Sequence, residues 1–551
     1  MNPFLNNILE KFTKTKYYLI VANLLLVFFL VLLSNTGVIP MRFGDFIFFS
    51  LMYLIFALYR PGWSFLFFVG TIALENINLA PASIGLFIRP YQLIGGLTIF
   101  SLLLRCFTKR LNFELVNLKW FDYIIGVFAF AGFLSSLFAA DKGAAFKQSI
   151  IIFSFAALYW LVRNYIQTFE DVKKIAPFFL SSSVLVVFYG IWQNIQFIGG
   201  RNSFEVMPGR PNGTFTEADW LGVFLVLLIS VVYLIIYYFS SLSPQPPLPV
   251  GEGGFRLGSR VRENKKYFIL ATSYFLLTST FILLILTVSR SAWLGAGLIT
   301  LIFLKAIFTN FSFKFRDWNG KEFAKHLSYI SGAILLSIGF AYVFHLTNFQ
   351  LFNRAQSTGS GLQEITIACN SRTVLELPEK IGDVSELEKY DCRHINLEDI
   401  EKEKEAGFEV KEIYRTDPNV SIRSQIYQKS IEQIKQNPFF GIGWGNISNI
   451  LGEDERGTGL NSSNIFLEVW LGSGIIGLLA FLAIWVYIFI KSVLYCIKDD
   501  FESKIIGFFV VSGLFALLIP NLFNAGVYLG ILWVFLGIAL SLSSHTNSEK
   551  V

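Results

Sequence analysis

Residues 459–490 read "GLNSSNIFLEVWLGSGIIGLLAFLAIWVYIFI". From Ile465 onward the stretch is longer than the roughly 20 apolar residues a helix needs to cross a hydrocarbon core of about 30 Å. Its one charged residue is Glu468. Apolar runs of this kind recur along the chain. In lipid each backbone N–H and C=O must be paired inside its own segment, so the runs are helices; a β-barrel needs short alternating strands instead. The fold class is therefore all-α, a polytopic transmembrane bundle of about 12–14 spans. Their centres fall near residues 27, 52, 71, 98, 130, 155, 186, 230, 278, 300, 337, 478, 514 and 535. Of the 551 residues 54% are hydrophobic and 15% charged, against roughly 25% charged in a soluble domain. The first run, "YYLIVANLLLVFFLVLLS" after Lys11, Lys14 and Lys16, is long for a signal peptide and lacks a small-residue cleavage site, so it reads as a retained span. The second span is short. "ALENINLA" places Glu75, Asn76 and Asn78 near the outer end of the third.

Lys and Arg orient the bundle. With both termini in the cytoplasm, cytoplasmic segments hold 25 of the 45, short outer loops seven, and the long segment 347–464 the other 13. That asymmetry follows the positive-inside rule; the expected location is the plasma (inner) membrane. The net charge of +6 is topogenic and faces anionic membrane lipids; it implies no nucleic-acid partner. Three parts result: spans 1 to about 11 within 1–346, an extracytoplasmic lobe at 347–464, and three spans plus a cytoplasmic tail at 465–551. The Pro/Gly-rich stretch near 240–266, "SSLSPQPPLPVGEGGFRLGSRVRENKK", predicts a disordered cytoplasmic linker.

The lobe carries 19 acidic residues against its 13 basic ones, so it is solvated. Within "VSIRSQIYQKSIEQIKQNPFFGIGWGN", Ile422, Ile426, Ile431 and Ile434 fall near helical spacing, and Asn437-Pro438 ends the helix. A Gly-rich turn around Trp444 follows. The stretch from Glu364 to Val410 reads as a charged insertion. It holds Cys369 and Cys392, which outside the cytoplasm either pair as a disulfide or stay free thiols.

Arg210 in "MPGRPNGTFTEADWLG", Arg290 in "LTVSRSAWLGAG" and Arg423 at the amphipathic helix all fall on the outer side. Each alone can be an arginine snorkelling to headgroups. Three together, each beside Gly, Ser or Asn, suit an anionic ligand, because a guanidinium fork binds phosphate oxygens with two parallel hydrogen bonds.

The blocks "RPNGTFTEADWLG", "TVSRSAWLGAG", "RSQIYQKSIEQIKQNPFFGIGWGN" and "SNIFLEVWLGSGIIGLL" stand in the order seen in the O-antigen ligase and polymerase superfamily, which residues 200–490 resemble. The resemblance implies a membrane glycosyltransferase that takes a glycan from an undecaprenyl-diphosphate carrier and passes it to a sugar or lipid acceptor outside the membrane, with no metal or other cofactor. It implies that Arg210, Arg290 and Arg423 hold the diphosphate. Where such ligases read His-Asn, this chain reads Ser463-Asn464, and a Ser hydroxyl is no general base near neutral pH. The candidate catalytic set is Glu217, Ser463, Asn464 and Glu468. Either Glu217 or Glu468 acts as base, or the carrier phosphate takes the proton, or the chain binds the carrier without turnover. Ser463 or Asn464 also suits a helix N-cap, with Gly472, Gly474 and Gly477 allowing close helix packing. A flippase for the same lipid-linked glycan is the alternative function; against it stand the absence of an internal repeat and the clustering of the arginines at one surface.

Overall fold

The computed structural model describes residues 13–111, 113–207, 209–241, 255–312, 314–346, 362–370, 378–382, 384–395, 400–416, 418–453 and 459–544. Among these are seventeen α-helices: α1 (Thr13–Asn35), α2 (Phe43–Tyr59), α3 (Pro61–Thr71), α4 (Pro90–Phe107), α5 (Trp120–Phe138), α6 (Lys142–Tyr165), α7 (Phe169–Ile198), α8 (Ala218–Ser241), α9 (Phe255–Leu286), α10 (Arg290–Thr309), α11 (Gly320–Val343), α12 (Ile400–Glu405), α13 (Pro418–Gln436), α14 (Ile447–Leu451), α15 (Ile465–Cys496), α16 (Phe501–Asn521) and α17 (Gly530–Ser544). Eleven are long and apolar enough to cross a membrane, and α2 and α17 are shorter apolar helices. The protein is a polytopic helical membrane protein. Spans α8 and α16 are apolar all round, and 83% and 78% of their most apolar windows are buried; a helix with no polar face belongs in the middle of a bundle.

The third span departs from the expected helix. Only α3 is helical, about 16 Å at 1.5 Å per residue, and residues 72–80 continue it as irregular, largely buried backbone. The Glu75-Asn76-Ile77-Asn78 run accounts for this, because its polar side chains take on backbone partners that a helix would otherwise supply. The Asn78 Oδ1 accepts from the N–H of Ala80 and Ile88. The Thr214 carbonyl accepts from the N–H of Glu75 and Asn76 at 2.9 and 2.8 Å. Glu75, fully buried, accepts from Arg89 (2.7 Å), Tyr91 (2.8 Å) and the Gly530 N–H (2.7 Å). A carboxylate paired and hydrogen-bonded in this way can stand in a dry interior.

The expected linker is also shorter than 240–266. Helix α9 begins at Phe255, since Arg, Glu and Lys extend the span's helix beyond its apolar part; residues 242–254 lie outside the described residues.

Helix α15 is interrupted at Gly474, whose φ of 68° and ψ of −172° lie outside the helical region. Gly474 therefore breaks the helix rather than serving simply as a packing position. The Leu471 carbonyl accepts from Ile442 N–H at 2.7 Å and Gly443 N–H at 3.3 Å, and Ile475 N–H donates to the Pro438 carbonyl at 3.2 Å. The Trp470 indole donates to the same carbonyl. The Gly-rich turn thus supplies the partners that the broken helix lacks, as membrane-depth backbone requires. Trp444 is buried, its ring so close to Gly472 and Gly132 that a Cβ on either would clash. Asn446 closes the other side, accepting from Asp141 N–H and donating to the Asp141 carbonyl.

The chain divides into two compact units, 1–347 with 433–551, and 348–432. Residues 433–453 and 459–464, expected in the lobe, fall in the same unit as the spans, and the turn after α13 fills the α15 break. The second unit is not purely helical. Strands β1 (Leu362–Cys369), β2 (Lys380–Ile381), β3 (Cys392–His394) and β4 (Glu409–Thr416) form a sheet in the order β2-β4-β1-β3. Strands β1 and β4 pair antiparallel over eight residues. Alternating residues Ile365, Ile367 and Cys369 join Ile381, Leu387 and Ile413 in its core, the period of two expected of a strand. Cys369 and Cys392 stand opposite each other in register and form a disulfide.

Gly474→Ala should unfold or strongly destabilise the protein, because its Cβ would lie 2.1 Å from the Phe439 carbonyl oxygen at a φ unsuited to Ala. Gly332→Ala, in α11 with open space around it, should be neutral or gain about 0.5–1 kcal/mol. Melting temperatures in detergent compare the two; equal values would refute the account of the break.

Candidate functional site

Four chain reversals meet at one place in the first unit. The segment 199–217 between α7 and α8 presents Arg210 from a tight turn: Val206 N–H donates to Asn212 Oδ1, and Gly209 N–H donates to Glu205 Oε2 at 2.9 Å. Phe204 and Gly209 adopt positive φ to make that turn. Gln193 anchors it to α7, donating to the Phe204 carbonyl and accepting from Gly213 N–H. Arg210 Nε donates to the Thr287 carbonyl at 3.0 Å, three residues before Arg290 at the start of α10. The guanidinium also pairs with Asp219 at 3.1 Å. Asp219 stands two residues beyond Glu217, the neighbouring carboxylate that the sequence offered. Arg290 is half-buried between the buried residues Ser289 and Ser291.

The third reversal lies between α16 and α17. Asn524 Nδ2 donates to Ser291 Oγ at 3.2 Å, tying this segment to the residue beside Arg290. The fourth is the polar knot before α15, where Asn464 Nδ2 donates to the Leu522 carbonyl at 3.0 Å. Asn464, not Ser463, is the N-cap of α15: its Oδ1 accepts from Phe466 and Leu467 N–H. Ser463 sits at a φ of 51°, a left-handed conformation that costs a non-glycine residue about 1–3 kcal/mol and tends to occur where function requires it. Glu468, 5% exposed, turns back to accept from Ser462 N–H at 2.8 Å. The arrangement brings Arg210, Arg290, Ser463, Asn464 and the start of α8 into one hydrogen-bonded neighbourhood.

Arg423 lies on α13 and is half-buried; it belongs to the second unit. Sequence reasoning missed Glu205, Asp219 and Asn524. Asp219 and Asn524 stand within "TEADWLG" and "PNLFNAG", where a helix start and a helix end bring polar residues to a shared surface. Glu205 is the less legible: its Oε1 is buried without a hydrogen-bond partner, and burial pushes its carboxyl up to about 7 despite the Gly209 N–H. Among the described residues no group of His, Cys, Asp and Glu could hold a metal ion.

Residues 274–482 match the family model described as O-antigen ligase. The match takes in Arg290, Arg423, Ser463, Asn464 and Glu468, while Arg210 and Asp219 lie before it and Asn524 after. No curated protein matches the chain.

An unfolded Glu205 ionises near its ordinary range, whereas the folded turn holds the proton to about 7. The folded state binds more protons across that interval, so the stabilisation is complete below it and is lost as pH rises through about 7. Hydrogen exchange of peptide 201–217, corrected for intrinsic rate, should be faster at pH 8 than at pH 5, and Glu205→Gln should remove the difference. A pH-independent wild-type peptide would show that this burial is not felt.

Proposed function

We propose, from the match of residues 274–482 to the O-antigen ligase family model, that the chain is a member of that superfamily and a glycosyltransferase acting on the outer side of the plasma membrane. It moves a glycan from an undecaprenyl-diphosphate carrier to the hydroxyl of a sugar or lipid acceptor, as ligase or polymerase. The observation that carries this proposal is the seat of Arg210: its guanidinium is held on the same turn that bears Arg290. As the glycosidic bond breaks, charge builds on the leaving diphosphate, and cations fixed in place beforehand stabilise it without reorganising. Arg423 is proposed as the third cation. The N-terminus of α15, opened by Ser463 and capped by Asn464, favours an anion or an acceptor hydroxyl near it. The acceptor proton goes to a carboxylate of this neighbourhood, with Glu217 and Glu468 the candidates read from sequence, or to the carrier phosphate. The break of α15 supports transfer over transport, since the Leu471 carbonyl and the Ile475 N–H beside it are already taken up by the turn at residues 438–443.

With lipid-linked oligosaccharide and purified protein, Arg290→Ala, Arg210→Ala and Arg423→Ala should each abolish transfer at unchanged abundance. Lysine should rescue poorly because the fork is lost. Full activity in Arg290→Ala would end the diphosphate assignment. Ser463→Gly should relieve the left-handed strain and raise the melting temperature, yet lower transfer if the hydroxyl contacts substrate; unchanged transfer would leave Ser463 a purely structural residue.

A further inference from the structure

We propose that a small polar cavity beside the Arg210 turn is a sugar subsite for the donor glycan: Asn35 and Asn76 hold one hydroxyl-bearing substituent, and Phe204 is the platform for the ring that carries it. This rests on the diphosphate reading of Arg210 and deepens it.

The cavity lies between the ends of α1 and α7, the irregular backbone of residues 72–80 and the 199–217 segment, and its volume is about 40 Å³. A water needs roughly 10–15 Å³ on such a measure, so the space takes a few waters or one exocyclic group of a sugar, not a whole ring. Asn35, Asn76, Tyr189, Phe204, Gly213 and Thr214 are among the residues that line it, and none of the lining residues is charged. A phosphate would call for cations; amides and hydroxyls suit an uncharged, hydroxyl-rich ligand. Asn35 Oδ1 accepts from the Tyr189 O–H at 3.0 Å, which leaves its Nδ2 without a partner among the described residues, and the Asn76 side chain has none there either. An amide offers both a donor and an acceptor, and a sugar hydroxyl can use both.

Phe204 carries two costs that this role explains. Its φ of 55° is a left-handed conformation disfavoured for a bulky side chain, and the residue is 39% exposed. Its backbone is held on both sides, the N–H donating to Asn202 Oδ1 and the carbonyl accepting from Gln193 Nε2. The ring stacks on Trp192, with centroids 6.3 Å apart and planes 15° apart. A fixed aromatic ring can pack against the apolar C–H face of a sugar, while the cavity beside it satisfies a hydroxyl. The location favours the donor. Gly213 and Thr214 line the cavity on the same segment as Arg210, and the Thr214 carbonyl accepts from the Asn76 N–H at 2.8 Å. The sugar bonded to a diphosphate at Arg210 lies next to that segment.

Binding to the full-length protein in nanodiscs tests this with two ligands: lipid-linked oligosaccharide extracted from the source cells, and undecaprenyl diphosphate bearing no sugar. The wild type should bind the oligosaccharide form more tightly. Asn76→Ala removes no side-chain hydrogen bond from the fold; it should weaken that form by roughly 3- to 10-fold, the worth of one hydrogen bond, and leave undecaprenyl diphosphate binding unchanged. Phe204→Gly, which relieves the left-handed strain, should have the same selective effect, and Phe204→Tyr should restore the affinity. Equal wild-type binding of the two ligands, or unchanged oligosaccharide binding in either variant, would overturn the subsite. A rise confined to the acceptor KM, with donor binding intact, would assign the cavity to the acceptor and overturn the donor reading. Arg210→Ala separates the premise: it should weaken both ligands, and undiminished binding of both would refute the diphosphate reading whatever Asn76 and Phe204 do.

Discussion

The structure turns on an exchange of backbone hydrogen bonds between a broken transmembrane helix and a glycine-rich turn. Gly474 interrupts α15, and the groups this frees are taken up by Pro438, Ile442 and Gly443. An unpaired peptide group in a dry interior costs several kcal/mol, so neither the break nor the turn can exist without the other. The closeness of the two backbones excludes any Cβ at Gly441 or Gly474. Trp444 and Asn446 then fasten the turn to α5 and α6. A segment 305 residues from the start of α6 in sequence thereby becomes part of the bundle.

Fixing the first part of α15 also fixes its N-terminus. The cap residue Asn464 reaches the Leu522 carbonyl, Asn524 reaches Ser291, and Arg210 reaches Thr287 on the turn before Arg290. Each link joins a different pair of chain reversals. The candidate site is therefore held by short polar contacts between helix ends, mounted on apolar spans that cannot easily shift. Such mounting suits electrostatic catalysis, which depends on charges held in place before the reaction begins.

Much of this was legible in the sequence because lipid imposes a strict rule on composition. Each of the fourteen expected span centres falls on a helix, and the helix ended by Asn437-Pro438 is α13. What escaped depends on contacts distant in sequence. The buried Glu75 looked like a flaw in a span; Arg89, Tyr91 and Gly530 make it a structural pin. Gly474 looked like a packing glycine, since only the partner turn reveals the break. The sheet in the second unit was hidden by charge, although Ile365, Ile367 and Cys369 alternate as a strand should. In the site, the positions of Arg210 and Arg290 were readable from their costly setting, but the contact of Asp219 with Arg210 depends on where α8 begins its first turn.

The central claim is that Arg210 and Arg290 act together as a seat for a diphosphate. A cryo-electron microscopy map of the protein in nanodiscs with a non-transferable polyprenyl-diphosphate glycan tests it most directly. The account predicts phosphate density within hydrogen-bonding distance of both guanidinium groups. Phosphate density at the opposite end of the bundle, or touching neither arginine, would contradict it.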